Sequence, residues 1–263
     1  MTDLSICVVT YNSRDEIGTL LDSIFAWTSG ISFQVYVVDN CSTDKTADLV
    51  EEKYPAVRVI RSGENAGFGH GHNQVMPYLD SRYHAVINPD IRLVEDVFSP
   101  LIAYLDGHPD CVLATPRILN PDGSEQKLPK RLPKLQYMFL GRLGRFFPPF
   151  QKYRDIYTRA NEVFTEPTEI EFCTGCFMLL RTAAFRDLGG FDERFFMYLE
   201  DADLSRRAAE YGKLIFYPGV SAEHRWARAS GKSLKFLRIH LDSIRKYRGK
   251  LREEKRQQKR RRV

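Results

Sequence analysis

The chain has 263 residues, of which 43% are hydrophobic and 28% are charged. This balance is typical of soluble globular proteins, and it excludes collagen-like structure or disorder for most of the chain. No run approaches the roughly 20 apolar residues that a membrane-spanning helix needs, and the first residues lack the basic-then-apolar layout of a signal peptide, so we expect a cytoplasmic protein.

The formal net charge of +5 is unevenly distributed along the chain. Residues 232–263 carry +11, residues 127–159 carry +8, and all the others together carry −14. The sequence therefore predicts an acidic body with two basic segments, an asymmetry that bears on the choice of partners. The five cysteines, an odd number, argue against a disulfide framework.

Strands and helices are predicted to alternate over the first 90 residues. Short β-branched runs indicate strands, and apolar residues at helical spacing indicate helices. This rhythm predicts an α/β fold with a mainly parallel sheet covered by helices on both faces. The predicted strands are 4–10, 33–39, 57–60 and 84–87, and the predicted helices are 14–27, 42–50 and 67–79.

The second half of the chain has a less regular pattern. Residues 127–159 interrupt the alternation with prolines, cations and aromatic residues. We expect the last residues, beyond Gly249, to have too little apolar content to fold alone. The predicted elements here are strands 112–118, 172–180 and 213–217, a helix 200–211 and an amphipathic helix 233–247.

Polar residues follow the first four predicted strands. The segments are TYNS from Thr10, DNCSTD from Asp39, NAGFGHGHN from Asn65 and NPD from Asn88. Turns favour such residues for local reasons, but ligands of parallel sheets bind beyond the carboxyl ends of the strands. The four segments together therefore predict a polar rim around one pocket.

Two of these segments suggest particular ligands. The glycines from Gly67 onward allow close approach of the backbone to a ligand before a helix begins, although their spacing is not that of a dinucleotide fingerprint. A carboxylate held by a proline turn, as in Asn88-Pro-Asp90, suits Mg²⁺ or Mn²⁺ bound together with phosphate oxygens. The simpler interpretation is that Asp90 caps the next helix.

A second group of candidates lies in the segment FDERFFMYLEDADL. Glu200, Asp201 and Asp203 stand at a predicted helix start, where acids are stabilised by the macrodipole. Asp201 is also suited to be a general base, and an ordinary aspartate pKa of about 3.9 leaves it ionised at neutral pH. His224 is a candidate ligand of a metal or diphosphate. We interpret Cys173 and Cys176 as packing residues, because no second ligand pair follows.

These motifs, in this order, resemble those of family 2 glycosyltransferases of the GT-A fold. The resemblance covers residues 4–228 and rests on VVTYNS, VVDNCSTD, NAGFGHGHN, NPD and GGFDERFFMYLEDADLSRRAAEYG. The forms NAGFG, NPD and FFMYLEDADL are most similar to bacterial rhamnosyltransferases of cell-surface polysaccharide synthesis. The implied reaction is metal-dependent inverting transfer of L-rhamnose from dTDP-rhamnose to a polyprenyl-diphosphate-linked saccharide.

The resemblance also implies roles for individual residues. Asp201 matches the catalytic base and Glu200 its neighbour in the acceptor site. Asp90 matches the ligand of Mg²⁺ or Mn²⁺, and His224 matches a contact of the metal or diphosphate. Asn88 stands where the family commonly has a first aspartate. The residues implied for the nucleotide-sugar pocket are Thr10, Tyr11, Asn12, Asp39, Asn65, Gly67, Asn88 and Asp90.

The same resemblance predicts the organisation of the chain. Residues 1–231 are expected to form the GT-A domain, with a nucleotide-binding half at 1–110 and an acceptor half at 111–231 that contains the insert 127–159. Residues 232–263 are expected to form the amphipathic helix and basic tail. The basic segments suggest peripheral attachment to an anionic membrane at the inner face of the cytoplasmic membrane.

Three other interpretations remain open from the sequence. A UDP-hexose could be the donor, since the pocket motifs do not separate the two nucleotides. A glycosidase could use Asp90 and Asp201 as paired carboxylates. The basic tail could belong to a non-catalytic binder of nucleic acid or membrane, but the acidic body and the lack of a recognised motif lead us to expect no nucleic-acid partner. The oligomeric state is not predicted.

Overall fold

The computed structural model describes residues 1–134, 136–137, 140, 147–225 and 234–261. Parts of the predicted basic insert, and the end of the segment that carries the family resemblance, lie outside these ranges. Within them, β-strands form one continuous sheet.

The first half of the chain alternates strands and helices as predicted. Its central strand, β1 (Thr2–Thr10), is buried from Leu4 to its end, as its mostly apolar, β-branched run predicts. The four longer strands of this half are parallel to one another where they pair. The elements are β1 (Thr2–Thr10), α1 (Arg14–Trp27), β2 (Phe33–Asp39), α2 (Thr46–Lys53), β3 (Arg58–Arg61), α3 (Phe68–Asn73), β4 (Ser81–Ile87), β5 (Ile91–Leu93) and α4 (Phe98–Gly107).

The second half of the sheet is mixed. Its elements are β6 (Cys111–Leu119), α5 (Gln151–Thr158), β7 (Thr168–Glu169), β8 (Phe177–Arg181), α6 (Thr182–Asp187), α7 (Glu200–Ala208), β9 (Lys213–His224) and α8 (Leu234–Arg261). Strand β8 is antiparallel to both β4 and β6, whereas β6 and β9 are parallel to each other. Strands β5 and β7 are antiparallel to β9. The order of the strands in the sheet is β3-β2-β1-β4-β8-β6-β9-β5, with β7 also paired to β9.

Two hydrophobic cores cover the two faces of the sheet. Side chains of a strand alternate between faces, so Leu4 and Ile6 pack into one core with residues of α1 and α4. Cys7 and Val9 pack into the other with residues of α6 and α7. Helices therefore lie on both faces, as the sequence predicts.

Strand register brings the polar strand ends into one row. Thr10, the last residue of β1, pairs with Asp39, the last residue of β2, and Asp39 pairs with Arg61 of β3. On the other side of β1, Val8 pairs with Ile87, so Asn88 follows β4 at the same edge. The predicted rim is thus assembled by the register of the parallel strands.

Several predicted boundaries are wrong. The helix expected over 67–79 is the short α3 followed by a 3₁₀ turn at Met76–Tyr78, and the strand expected over 172–180 begins only at Phe177. Strand β5 follows Asp90 directly, so this residue does not cap a helix. Helix α8 continues through most of the basic tail, which we did not expect to fold alone.

Candidate active site

The ends of β1 and β2 are joined through the carboxylate of Asp39. This buried group accepts hydrogen bonds from Thr10 Oγ1 at 2.9 Å, from Ser42 Oγ at 2.5 Å and from Ser42 N at 2.9 Å. A carboxylate offers about four acceptor positions, so these three bonds fix its orientation and leave room for one more donor. A ligand hydroxyl or base N–H is a suitable donor for that position.

Asn12 connects the segment after β1 to the segment after β2. Its backbone N–H donates to Ser42 Oγ at 2.9 Å, and its side-chain oxygen accepts from the Thr43 N–H at 2.8 Å. Asn12 has φ of +53°, a left-handed conformation that asparagine tolerates. The preceding Tyr11 has 52% of its surface exposed, so its ring remains available to a ligand at this rim.

The glycine-rich segment is held by protein contacts. Asn65 Oδ1 accepts from the Gly67 N–H at 3.2 Å, and the Gly67 carbonyl accepts from Asn40 Nδ2 at 3.0 Å. Gly67 has φ of +106°, and a Cβ there would collide with the backbone carbonyl of Phe196. The sequence predicted that the backbone at Gly67 approaches a ligand closely. In the structure this backbone instead packs against the backbone of Phe196, in the second half of the chain. Binding by Asn65 and Gly67 stays a prediction.

Asp90 and His224 lie together at the end of β4. Asp90 Oδ1 is 3.2 Å from His224 Nε2, and the carboxylate is partly exposed whereas the imidazole is buried. Gln126 Nε2 donates to the His224 carbonyl at 2.9 Å, which leaves Gln126 Oε1 facing His224 Nδ1 at 3.1 Å. In the tautomer with its proton on Nδ1, the Nε2 lone pair faces Asp90.

This arrangement suits a divalent cation in its donor chemistry. A carboxylate oxygen and an imidazole nitrogen, the latter oriented by Gln126, are common metal ligands. Among the described residues, no group of three or more His, Cys, Asp or Glu side chains is placed to hold a metal. A metal here would therefore need further ligands, such as diphosphate oxygens and water.

Glu200 and Asp201 begin helix α7. Asp201 Oδ1 accepts from the Ala202 N–H at 2.8 Å, and Oδ2 accepts from the Gly175 N–H at 3.2 Å. Glu200 is buried, and its Oε2 has no hydrogen-bond partner among the described residues. Asp203, the third acid of the cluster, is instead fully buried and pairs with Arg207 and Lys250. Asp203 therefore has a structural role.

The two carboxyl groups differ in pKa for physical reasons. Burial, and then the charge of Asp201, hold the pKa of Glu200 well above its ordinary value. Burial also raises the pKa of Asp201, although the N–H groups of Gly175 and Ala202 and the charge of Lys130 lower it. The pKa of Asp201 is thus raised and is not the ordinary value that the sequence led us to expect. In this pair Glu200 is the group that keeps a proton, and Asp201 is the group equipped to carry the negative charge.

Lys130 is a functional candidate that sequence reasoning missed. It lies in the basic insert, and its backbone bridges to Phe172, just before the loop that contacts Asp201. Burial lowers the pKa of Lys130, whereas the charge of Asp201 raises it. A cation in a basic segment gives no sequence signal of its own, because the bridge that places Lys130 here joins residues 42 positions apart.

A short loop before β8, which contains Gly175 and Cys176, connects the site of Asp90 and His224 with the site of Glu200 and Asp201. The Cys176 carbonyl accepts from the Asn88 N–H at 3.0 Å, and the Gly175 N–H binds Asp201. Burial raises the pKa of Cys176 to about 11, and the charges of Asp90 and Asp201 also raise it. Cys173 and Cys176 are buried, free thiols, which agrees with their interpretation as packing residues. The structure thus brings the Asp90–His224 pair and the Glu200–Asp201 pair to the same loop.

Comparison with known proteins identifies the family. The model of glycosyl transferase family 2 matches residues 5–189. The chain belongs to this family. It is accordingly a glycosyltransferase, as the resemblance in its motifs implied.

Two relatives of the family 2 chain carry names that state an activity. It is 30% identical over 248 residues to the N-acetylglucosaminyl-diphospho-decaprenol L-rhamnosyltransferase of Mycobacterium tuberculosis, covering 88% of this chain and 79% of that one. It is 27% identical over 257 residues to the rhamnosyltransferase WbbL of Escherichia coli, covering 92% and 91% of the two chains. The expected likeness to rhamnosyltransferases is therefore confirmed.

Solved structures support the GT-A fold. Residues 1–349 of Staphylococcus aureus TarS match with a TM-score of 0.60 and 18% identity, covering 84% of this chain and 60% of that one. GalNAc-T7, solved with UDP, GalNAc and Mn²⁺, matches with a TM-score of 0.62 and 16% identity, covering 85% and 43%. The family 2 chain thus spans less than two thirds of either structure, and these likenesses show the fold alone.

None of the helices in the described part of the chain combines the length and the apolar content that a membrane span requires.

Proposed function

We propose that this family 2 glycosyltransferase is an inverting rhamnosyltransferase. It transfers L-rhamnose from dTDP-rhamnose to a hydroxyl of a polyprenyl-diphosphate-linked saccharide at the inner face of the cytoplasmic membrane, in synthesis of a cell-surface polysaccharide. The names of the two relatives support the sugar, and that of the mycobacterial relative supports a lipid-linked acceptor. The observation that carries the chemistry is the fixed, partly desolvated carboxylate of Asp201.

Asp201 acts as the general base in this proposal. The N–H groups of Gly175 and Ala202 hold its two oxygens in place, and positioned bases are effective because the geometry is set before the reaction. The acceptor hydroxyl loses its proton to Asp201 as its oxygen attacks the anomeric carbon. The bond to the dTDP oxygen breaks on the opposite face, and inversion follows. Glu200, which stays protonated, contacts the acceptor as a hydrogen-bond donor.

The nucleotide sugar binds along the strand ends of the first half. Asp39, oriented by Thr10, accepts a hydrogen bond from the base or ribose, and the exposed ring of Tyr11 packs beside the base. Asn12 and the segment of Asn65 and Gly67 complete the pocket, and Asn88 lies nearest the diphosphate. The shared row of Thr10 and Asp39 supports this placement.

Asp90 and His224 would hold Mg²⁺ or Mn²⁺ at the diphosphate. The metal, when bound, neutralises the charge that develops on the departing diphosphate. The donor set of carboxylate and imidazole supports this proposal, as does the presence of Mn²⁺ in the GalNAc-T7 structure of the same fold. Gln126 orients His224 and thereby supports the ligand pair.

Peripheral membrane binding completes the proposal. Helix α8 exposes Leu234, Leu237 and Leu241 at helical spacing among cations. An amphipathic helix of this kind binds an anionic interface through both its apolar stripe and its charge. Such attachment would place the active site near a lipid-linked acceptor.

The decisive experiment is identification of the product. The full chain is incubated with Mn²⁺, a polyprenyl-diphosphate-linked saccharide and either dTDP-rhamnose or UDP-hexoses, and the product is analysed by mass spectrometry. Rhamnose on the acceptor, with inverted anomeric configuration, is expected. Transfer only from a UDP-sugar would contradict the proposed donor, and hydrolysis of a glycoside without nucleotide release would indicate a glycosidase.

Two variants assign the roles in the same assay. Asp201→Asn should lower kcat by about 10²–10⁴-fold, the usual contribution of a general base, with dTDP binding nearly unchanged. Asp90→Asn should weaken dTDP binding in the presence of Mn²⁺ but not in EDTA. Retained turnover of the first variant, or unchanged metal dependence of the second, would refute the corresponding assignment.

A further inference from the structure

A groove lies between the segment around Pro133 and helix α8. Its volume is about 460 Å³, within the range of small-molecule sites. The apolar residues that line it include Leu199, Ile244, Tyr247 and Leu251. None of these residues belongs to the strand-end rim proposed for the donor, so the groove is a separate place on the molecule.

The charged lining of this groove is cationic. Lys134, Arg248 and Arg252 contribute all of the charged side chains among the described residues that line it, and all three are exposed. Cations at the edge of an apolar groove attract an anionic group and leave the apolar wall for the rest of the ligand. The lining therefore suits a molecule with an anionic head and an apolar chain.

The groove adjoins the proposed catalytic base. Leu199 lies two positions before Asp201, which puts the two Cα atoms within about 8 Å. Ser243 Oγ of α8 donates to the Met197 carbonyl at 2.7 Å, so the helix is held against the segment that leads to the acid pair. A ligand in the groove would therefore lie beside the segment that carries Asp201.

One face of α8 extends the apolar wall beyond the groove. Leu237, Leu241, Ile244 and Leu251 are separated by three, four or seven residues and therefore share a face of the helix. Leu237 and Leu241 are exposed, whereas Ile244 is buried against the body. An apolar chain that leaves the groove along this face meets exposed leucines and not a polar surface.

We propose that this groove binds the polyprenyl diphosphate portion of the acceptor. The diphosphate contacts Lys134, Arg248 and Arg252, and the first isoprenoid units lie against Ile244, Tyr247 and Leu251. The inference rests on the proposed function, because that function supplies a lipid-linked acceptor. It adds where the lipid binds and which side of Asp201 it approaches from.

Titration of the full chain with farnesyl diphosphate tests the groove without any transfer reaction. The titration is done with saturating dTDP and Mn²⁺, so that the diphosphate site of the donor is occupied. We expect binding to persist under these conditions and to be weakened about tenfold or more by Arg248→Glu, since a charge-assisted contact is lost. Arg245→Glu is the matched control, because Arg245 is an exposed arginine of the same helix that pairs with Asp242 and does not line the groove.

A second variant tests the apolar wall. Leu251→Gln should weaken farnesyl diphosphate while leaving the much weaker binding of inorganic diphosphate unchanged. The proposal is overturned if farnesyl diphosphate does not bind, if dTDP displaces it, if inorganic diphosphate or an acidic peptide binds equally well, or if Arg245→Glu weakens it as much as Arg248→Glu. Failure of rhamnose transfer in the product assay would refute the proposed function instead, because the titration requires no sugar donor.

Discussion

Two adjacent carboxyl groups at the start of α7 have different environments. Glu200 is buried, and one of its oxygens has no hydrogen-bond partner in the part of the chain that the structure describes, whereas Asp201 is held by two backbone N–H groups. Desolvation disfavours the charged form of each, but the N–H groups of Gly175 and Ala202 and the charge of Lys130 favour the charge of Asp201, whereas the charge of Asp201 further disfavours that of Glu200. Of the two, Glu200 is therefore the group that holds a proton more readily, and Asp201 is the group whose surroundings favour the negative charge.

The raised pKa of Glu200 predicts a pH-dependent stability effect. The folded protein keeps a proton there that the unfolded chain releases above about pH 4.3. Because the unfolded state then binds fewer protons, stability is lost as the pH rises from that value to the raised folded pKa. We expect Glu200→Gln to raise Tm at pH 8 and to have little effect at pH 4. Thermal melts at both pH values measure the Tm of this variant and of Glu210→Gln, a control at an exposed position. An equal shift in the Tm of Glu200→Gln at pH 4 and pH 8 would contradict the prediction.

The charge of Lys130 predicts a shift in the pH–rate profile. This cation lowers the pKa of Asp201, which burial otherwise raises. Without the cation the base is protonated at higher pH, so Lys130→Met should move the acidic limb of the kcat/KM profile to higher pH. Lys127→Met is the control, since Lys127 lies in the same insert but pairs with Glu125. An unmoved limb in Lys130→Met would remove this residue from the site.

Helix α8 illustrates what the sequence could not predict. Its apolar spacing predicts a helix only to Tyr247, and the tail beyond has too few apolar residues to fold alone. The structure extends the helix to Arg261, because Lys250 reaches Asp192 and Asp203, and Arg206 pairs with Glu254. Such contacts join distant positions, so no local pattern indicates them.

The loop before β8 was missed for a related reason. An apolar run such as Phe172 to Leu180 is equally consistent with a strand or a packed loop when read by periodicity alone. In contrast, the strand-end motifs do follow strands in the structure, and three of the four follow a mostly buried strand with a clear apolar pattern. The parallel half of the sheet, with its row of Thr10 and Asp39, was therefore predictable, and the loop that joins Asn88 to Asp201 was not.

The ion pairs of Lys250 predict how α8 is held. Lys250 Nζ lies 2.7 Å from a carboxylate oxygen of both Asp192 and Asp203, and its side chain is nearly buried. Lys250→Met should lower the free energy of unfolding by about 1–3 kcal/mol, because buried acceptors lose a charged donor. Lys246→Met, one turn earlier, removes an exposed pair with Asp242 and should cost at most about 1 kcal/mol. Urea unfolding compares the two, and equal losses would contradict the anchoring role.

Residues 1–110 and 111–231 are joined by one continuous sheet, in which β4 pairs with β8 and β5 pairs with β9, and by further backbone contacts near the candidate site. The Phe196 carbonyl packs on Gly67 and accepts from the Phe68 N–H at 2.9 Å, and the loop at Gly175 and Cys176 connects the ends of β4 and α7. The rim proposed for the donor and the acid pair are therefore fixed to each other by the backbone. The side chains of the rim and those of Glu200 and Asp201 thus have little freedom to move apart.

Charge placement across the whole molecule predicts membrane binding. The net charge of +5 divides into an acidic body and two basic segments, one of which ends in exposed cations of α8. Each cation near an anionic leaflet contributes about 1 kcal/mol, so replacing Lys255, Arg256, Lys259 and Arg260 by glutamine should lower partitioning to anionic vesicles by at least about tenfold. Vesicle sedimentation at physiological salt measures this.

The control for this prediction carries its substitutions on the body of the molecule. Lys45→Gln with Lys53→Gln removes exposed cations from the ends of α2, away from α8, and should leave vesicle binding nearly unchanged. Neutral phosphatidylcholine vesicles should bind wild type and both variants weakly and alike, because the apolar stripe of Leu234, Leu237 and Leu241 acts there without electrostatic help. If the quadruple variant sediments with anionic vesicles as well as wild type does, the tail has no part in attachment, and the proximity of the active site to its lipid-linked acceptor must come from the groove alone.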